Sequence, residues 1–146
     1  MTPADIRAPE PGDAESLADL WVALARGQQD HGSHLQAEQN RSRVRDVLAR
    51  YAATDRLLVA DAPSTTPAGE TDIVGFVMFR IRADEYEVDC RRGLVENLYV
   101  VPDHRGRGIG SDLLSAAEQL LCERGVDVVS LEAMAQNHAA RRFYRR

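Results

Sequence analysis

The sequence predicts a single mixed α/β domain in which helices flank a sheet, and three observations point there. Short apolar runs rich in β-branched residues recur at Arg56 to Ala60, Ile73 to Ile81, Gly93 to Val101 and Val126 to Ala133, each of strand length. Other segments return an apolar residue every three to four positions, the period of a helix with one buried face. The third observation is Leu94-Val-Glu-Asn-Leu-Tyr-Val-Val-Pro-Asp-His-Arg-Gly-Arg-Gly-Ile-Gly-Ser111, a buried strand running through a glycine-rich turn into a helix. With 146 residues, 44% of them hydrophobic, the chain has material for one core and no second domain.

Taken in order, a short strand around Asp5 to Arg7 leads through Pro-Glu-Pro-Gly to Asp13, whose short carboxylate suits the N-cap of a helix. That helix carries Leu17, Leu20, Trp21 and Leu24 on one face and is expected to end near Gly27. Gln28 to Asn40 is polar and reads mainly as a loop; its His31 and His34 lack an identifiable third ligand for zinc. Val44, Val47, Leu48 and Tyr51 fall at i, i+3, i+4 and i+7, which predicts a helix from Ser42 to Ala53. Arg41, Arg43, Arg45 and Arg50 take its wetter face. The next two strands are joined by a Pro/Ser/Thr/Gly-rich hairpin tip, and Asp84, Glu85, Glu87 and Asp89 form an acidic turn before the strand Gly93 to Val101. Ile109, Leu113, Leu114, Ala117, Leu120 and Leu121 then share one helix face, and Gly125 marks that helix's end. The strand Val126 to Ala133 follows, with a last helix beginning near Asn137.

Composition narrows the function. A net charge of −5, with 23 acidic residues, argues against non-specific nucleic-acid binding, which rests on neutralising phosphates. The N-terminus lacks the basic and apolar regions of a signal peptide, and no apolar run reaches membrane-span length, so a cytoplasmic location off the membrane is expected. Cys90 and Cys122 are expected as free thiols. All 18 basic residues are arginine, so proton acceptors must come from Asp, Glu, His, Tyr, Cys or water.

Gly106, Gly108 and Gly110 leave the turn without side chains at alternate residues, so backbone N–H groups can close around an anion. The N-terminus of the following helix adds unpaired donors and a positive dipole end, and Arg105 and Arg107 add full charges. Together they favour a pyrophosphate. The plainer alternative is a tight strand-to-helix connection with solubilising arginines. A Walker A loop is excluded by the absence of lysine, and a dinucleotide fingerprint fits poorly because the glycines fall as G-x-G-x-G late in the chain.

Arg105, Gly108 and Gly110, preceded by Leu98-Tyr99-Val100, resemble the coenzyme A loop of the GNAT superfamily of N-acetyltransferases, Arg/Gln-x-x-Gly-x-Gly/Ala. Asn137-His-Ala-Ala140-Arg-Arg-Phe143-Tyr144 is similar to a second family motif, Asn-x-x-Ala-x-x-Phe-Tyr. The resemblance covers nearly the whole chain and implies a mostly antiparallel sheet. The family continues into two more strands while this sequence stops at Arg146, so those strands are expected to be truncated or the sheet completed differently.

The same resemblance implies acetyl-CoA as cosubstrate, no metal, and direct acetyl transfer to a primary amine of a small molecule or peptide. Leu98, Tyr99 and Val100 would pair with the pantetheine arm, and the turn Arg105, Gly106, Arg107, Gly108, Ile109, Gly110 and Ser111 would take the pyrophosphate. Asn137 would contact the coenzyme, or serve only as an N-cap, and Tyr144 would protonate the departing thiolate, or pack beside Phe143. Glu96 is a costly residue inside an apolar strand unless it is paired, hydrated or used. In an ideal strand it shares a face with Leu98, where it would take the amine's proton; a bulge would redirect it. His31 and His34 would lie near the acceptor mouth or in solvent. Two rivals stand beside this reading: a catalytically weak coenzyme A-binding or regulatory module of the same fold, and another nucleotide-binding α/β protein. The acceptor, the acyl length and the oligomeric state, a homodimer included, are not legible.

Overall fold

The computed structural model describes residues 5–29, 38–62, 73–82 and 91–131. Its elements are β1 (Asp5–Arg7), α1 (Ala14–Gln29), α2 (Arg41–Ala53), β2 (Leu57–Asp61), β3 (Ile73–Ile81), β4 (Arg92–Val100), α3 (Ile109–Glu123) and β5 (Val128–Leu131). Short 3-10 turns precede α1 (Pro11–Asp13) and α2 (Glu38–Asn40) and follow β4 (Pro102–His104). The strands lie side by side in chain order, β1-β2-β3-β4-β5, antiparallel except that β5 runs parallel to β4. A parallel neighbour requires a crossover, and α3 provides it.

Two cores result, one on each face of the sheet. On one face Leu17, Trp21 and Val22 of α1 and Val44 and Leu48 of α2 pack on Leu57, Val59, Phe76 and Met78. On the other, Ile109, Leu113, Ala117 and Leu121 of α3 pack on Val77, Phe79 and Val95. Side chains alternate along a strand, so β3 sends Phe76 and Met78 one way and Val77 and Phe79 the other; being covered on both faces, it reads as an unbroken apolar run. Each fully buried large side chain contributes roughly 1.5–3 kcal/mol. Gly75, opposite Val100, marks a close approach: a Cβ there would sit 2.8 Å from the Tyr99 carbonyl oxygen and 3.1 Å from Leu113 Cδ1.

Three details depart from expectation for local reasons. Asp13 does not cap α1 but lies in the 3-10 turn before it, where its Oδ2 accepts from the Glu10 backbone N–H (2.7 Å) and from Arg7 Nη1 (2.9 Å). Arg7 in turn donates through Nε (2.5 Å) and Nη2 (3.1 Å) to Asp61, which is only 5% exposed. Burial pushes the Asp13 carboxyl up, but the bonds from Arg7 and the Glu10 N–H outweigh it and leave its pKa lowered. Second, α1 runs through Gly27 to Gln29. A glycine stops a helix when it turns left-handed, as Gly125 does at φ 86°, and Gly27 is not among the positive-φ residues. Third, β5 begins at Val128, because Val126 is buried and its N–H is taken by the Leu121 carbonyl at 3.0 Å. The expected last helix, the acidic turn, and His31, His34 and Cys90 lie outside the described residues; Cys122 is an exposed free thiol. Among the described residues no helix is long and apolar enough to cross a membrane.

Candidate active site

The register between β3 and β4 slips once: Met78 faces Asn97, but Phe79 faces Val95, so Glu96 is an extra residue in β4. A bulge of this kind breaks the alternation of side chains. Val95 and Leu98 therefore both pack in the core under α3. Asn97 turns to the other face, where its Nδ2 lies 3.5 Å from Met78 Sδ. Glu96 goes with Asn97, accepting a hydrogen bond from the Tyr51 hydroxyl of α2 at 2.6 Å. Glu96 and Leu98, which an ideal strand would put on one face, thus stand on opposite faces.

Around Glu96 the structure assembles a small polar cluster. Arg80 of β3 approaches Glu96 Oε1 through Nε at 3.3 Å, and the Arg56 guanidinium lies 4.1 Å from the Tyr51 ring centroid. The Tyr51 phenol is pushed up to about 12, first by burial, then by its hydrogen bond to Glu96 and that residue's charge; Arg56 and Arg80 act in the opposite direction and lose. Tyr51 therefore stays protonated, and a donor to the carboxylate, through the neutral range. The Glu96 side chain keeps 23% exposure and that of Arg80 36%, so the cluster is reachable from solvent. Tyr51 and Arg80 escaped the sequence reading. A hydroxyl on an otherwise apolar helix stripe was the available signal, since a buried Tyr O–H needs a partner.

Beyond the bulge β4 is supported on one side. β5 pairs only with Arg92 to Val95, so among the described residues no strand lies along the other edge of Asn97 to Val100. Leu98 and Val100 pack toward α3, and Tyr99 packs on the opposite face with its ring 6.2 Å from that of Phe76. Arg105 folds back on this strand end: Nε donates to the Val100 carbonyl at 2.8 Å, and the guanidinium lies 5.4 Å from the Tyr99 ring centroid. Arg107 is exposed.

Gly106 (φ 79°) and Gly108 (φ 84°) adopt left-handed conformations that disfavour any Cβ, and Gly108 is the N-cap of α3. A Cβ at either would meet nothing within 4 Å, so the turn is open on its outer side. Ile109 is buried and pins the start of α3 to the core, leaving its backbone as the part a ligand can reach. Gly110 and Ser111 complete the first turn, whose N–H groups have no carbonyl four residues back within the helix; Ser111 already has an interaction partner. Backbone donors and the dipole's positive end there can take a phosphate. Asn137 and Tyr144 lie outside the described residues. Among the described residues no group of three His, Cys, Asp or Glu side chains is placed to hold a metal.

A sequence profile of the Acetyltransferase (GNAT) family matches residues 17–146. The chain belongs to this family. It is 35% identical over 132 residues to a mycothiol acetyltransferase of Clavibacter sepedonicus, an alignment covering 88% of this chain but 38% of that protein. To an uncharacterized N-acetyltransferase of Archaeoglobus fulgidus it is 26% identical over 140 residues, covering 96% of this chain and 88% of the other. Among solved structures, a chain in the NatC complex bound to Gag peptide and CoA superposes with a TM-score of 0.72 at 19% identity, covering 99% of this chain and 82% of that one. At that identity the likeness is one of fold: a GNAT-like mixed sheet, mostly antiparallel, flanked by helices.

Proposed function

We propose that residues 1–146 act as one acetyl-CoA-dependent N-acetyltransferase domain, transferring acetyl directly to a primary amine of a small molecule or peptide. The observation that carries this reading is the placement of Glu96 and the glycine turn at the two ends of one short, one-sidedly paired stretch of β4. Glu96 and Val100 are four positions apart, about 13 Å at 3.3 Å per residue. In this reading the N–H groups of residues 106 to 111 hold the coenzyme's pyrophosphate, and Arg105 and Arg107 add charge. The backbone of Leu98, Tyr99 and Val100 aligns the pantetheine arm. Asn137 contacts the coenzyme and Tyr144 protonates the thiolate, both roles resting on the motif they match.

Glu96 holds the acceptor's ammonium and takes its proton, directly or through water. The need is real: an amine of pKa about 10.4 is deprotonated in only about one molecule in two thousand at neutral pH. Tyr51 and Arg80 keep the carboxylate aimed from α2 and β3. The names of the relatives, a mycothiol acetyltransferase and an N-acetyltransferase, support the reaction class.

One observation favours a second reading, a coenzyme A-binding module with little turnover: Glu96 already has two partners within its own chain. The experiment that separates them is thiol release from acetyl-CoA across a panel of small and peptide amines. The primary reading expects turnover that falls in Glu96→Gln and partly recovers at alkaline pH as buffer deprotonates the amine. Acetyl-CoA binding without thiol release for any amine supports the second.

A further inference from the structure

At the end of the sheet away from the glycine turn, β3 outruns β2. The Phe79 N–H donates to the Arg56 carbonyl at 3.0 Å, and Arg80 and Ile81 continue past the start of β2. This overhang, the turn after α2 and the C-terminal turn of α3 border an open cavity of about 390 Å³ lined by Thr54, Asp55, Arg56, Arg80, Ile81 and Arg124. Among the described residues, three guanidinium groups from three parts of the fold thus share one concavity with one carboxylate, Asp55, and none of them is ion-paired to it.

Several arginines elsewhere in this acidic chain are paired directly with carboxylates. Arg7 is paired with Asp61 and Asp13, Arg41 with Asp19, and Arg45 with Glu15. In the cavity, aromatic rings do part of the holding instead: Arg56 lies over Tyr51 at 4.1 Å, with its Nε on Thr54 Oγ1 at 2.7 Å, and Arg124 lies over Phe79 at 5.9 Å. A ring fixes the guanidinium plane without using its terminal N–H donors. Arg80 spends only Nε on Glu96. Arg56 and Arg124, resting on neutral contacts, leave positive charge that an anion with several oxygens relieves, and guanidinium forks bind such an anion in bidentate fashion.

We propose that this cavity is a binding site for an oxyanion, a carboxylate or phosphate group, carried by the amine acceptor or arriving as a free anion. Arg80 lines the cavity and also pairs with Glu96, so occupancy is felt at that carboxylate. The coupling rests on the role proposed for Glu96; the binding does not.

The test is calorimetric titration of inorganic phosphate, at low salt, into protein saturated with coenzyme A so that the glycine turn is filled. Saturable binding is expected, weakened about tenfold or more in Arg124→Gln and in Arg56→Gln, each loss of that size being about 1.4 kcal/mol. No saturable binding, or equal affinity in both variants at unchanged melting temperature, overturns the site. Calorimetry needs no turnover, so its result stands even if no amine proves to be a substrate. Kinetics identify the source. A rise in KM in Arg124→Gln for a carboxylate-bearing amine, but not for its amide isostere, assigns the anion to the acceptor. A phosphate effect on a neutral amine in wild type, absent from Arg124→Gln, assigns a free anion.

Discussion

Replacing Gly75 with alanine tests how closely the core supports the end of β4 that leads into the glycine turn. The added Cβ would lie 2.8 Å from the Tyr99 carbonyl oxygen, 3.1 Å from Leu113 Cδ1 and 3.4 Å from Val100 Cγ2. A leucine methyl can rotate away, but a backbone carbonyl in a paired strand moves only if the strand moves. Overpacking of this kind costs about 1–3 kcal/mol, and the gain from restricting the unfolded chain offsets about 0.4–1 of it. The net loss, about 1.3 kcal/mol at the middle of those ranges, corresponds to a melting temperature lower by about 3–5 °C for a domain near this size. Because the displaced atoms belong to Tyr99 and Val100, acetyl-CoA affinity should fall in parallel, read by calorimetry on the folded variant. Gly12→Ala, where a Cβ meets nothing within 4 Å, is the control and should melt at or slightly above the wild-type temperature, since only the unfolded-chain gain acts there. If Gly75→Ala melts at or above the wild-type temperature, the close approach is not what demands glycine there.

Gly108→Glu places a side chain and a negative charge on a left-handed residue at the mouth of the proposed pyrophosphate site, so acetyl-CoA binding should weaken by about tenfold or more, about 1.4 kcal/mol; unchanged calorimetric affinity in folded protein removes the pocket from this turn. Tyr51 has its folded pKa raised from 10.0 to about 12, so the stability it contributes is present below pH 10.0 and is lost as pH rises through about 12. Denaturant titrations over that window should show the loss in wild type and not in Tyr51→Phe. Asp61→Ala strips Arg7 of a buried partner and should lower stability by about 1.5–3 kcal/mol, whereas Asp19→Ala, at an exposed ion pair, should change it by less than about 1 kcal/mol. Equal losses at the two sites would show that burial does not set the value of the Arg7 pair.

What could be read from the chain was whatever depends on spacing within one element. The i, i+3, i+4, i+7 series from Val44 to Tyr51 located α2, and the apolar stripe from Ile109 to Leu121 located α3, because each helix buries one side. The glycine turn was legible for the same reason: its conformation is dictated by residues adjacent in sequence. Glu96 stood out as a carboxylate in an apolar strand, but its direction did not, since a bulge is decided by how β3 and β4 register against each other. Tyr51 and Arg80 join Glu96 from elements 45 and 16 residues away in sequence, and no local pattern announces such a meeting. Asp13 misled in a similar way, because its nearest claim on the backbone is overlaid by Arg7, itself fixed by Asp61 across the sheet.

The slip at Glu96 has a bearing on how this strand can change. Because one residue is looped into β4, Val95 and Leu98 reach the same core although they are three positions apart, and the two residues between them are released together to the opposite face. Elsewhere on β4 a substitution has neighbours on alternating sides, so altering the chemistry on one face risks the packing on the other. At Glu96 and Asn97 the strand instead presents a pair of adjacent side chains with no obligation to the α3 core. Such a position can exchange a carboxylate for an amide, a hydroxyl or nothing at all while the hydrophobic framework on the far face stays as it is.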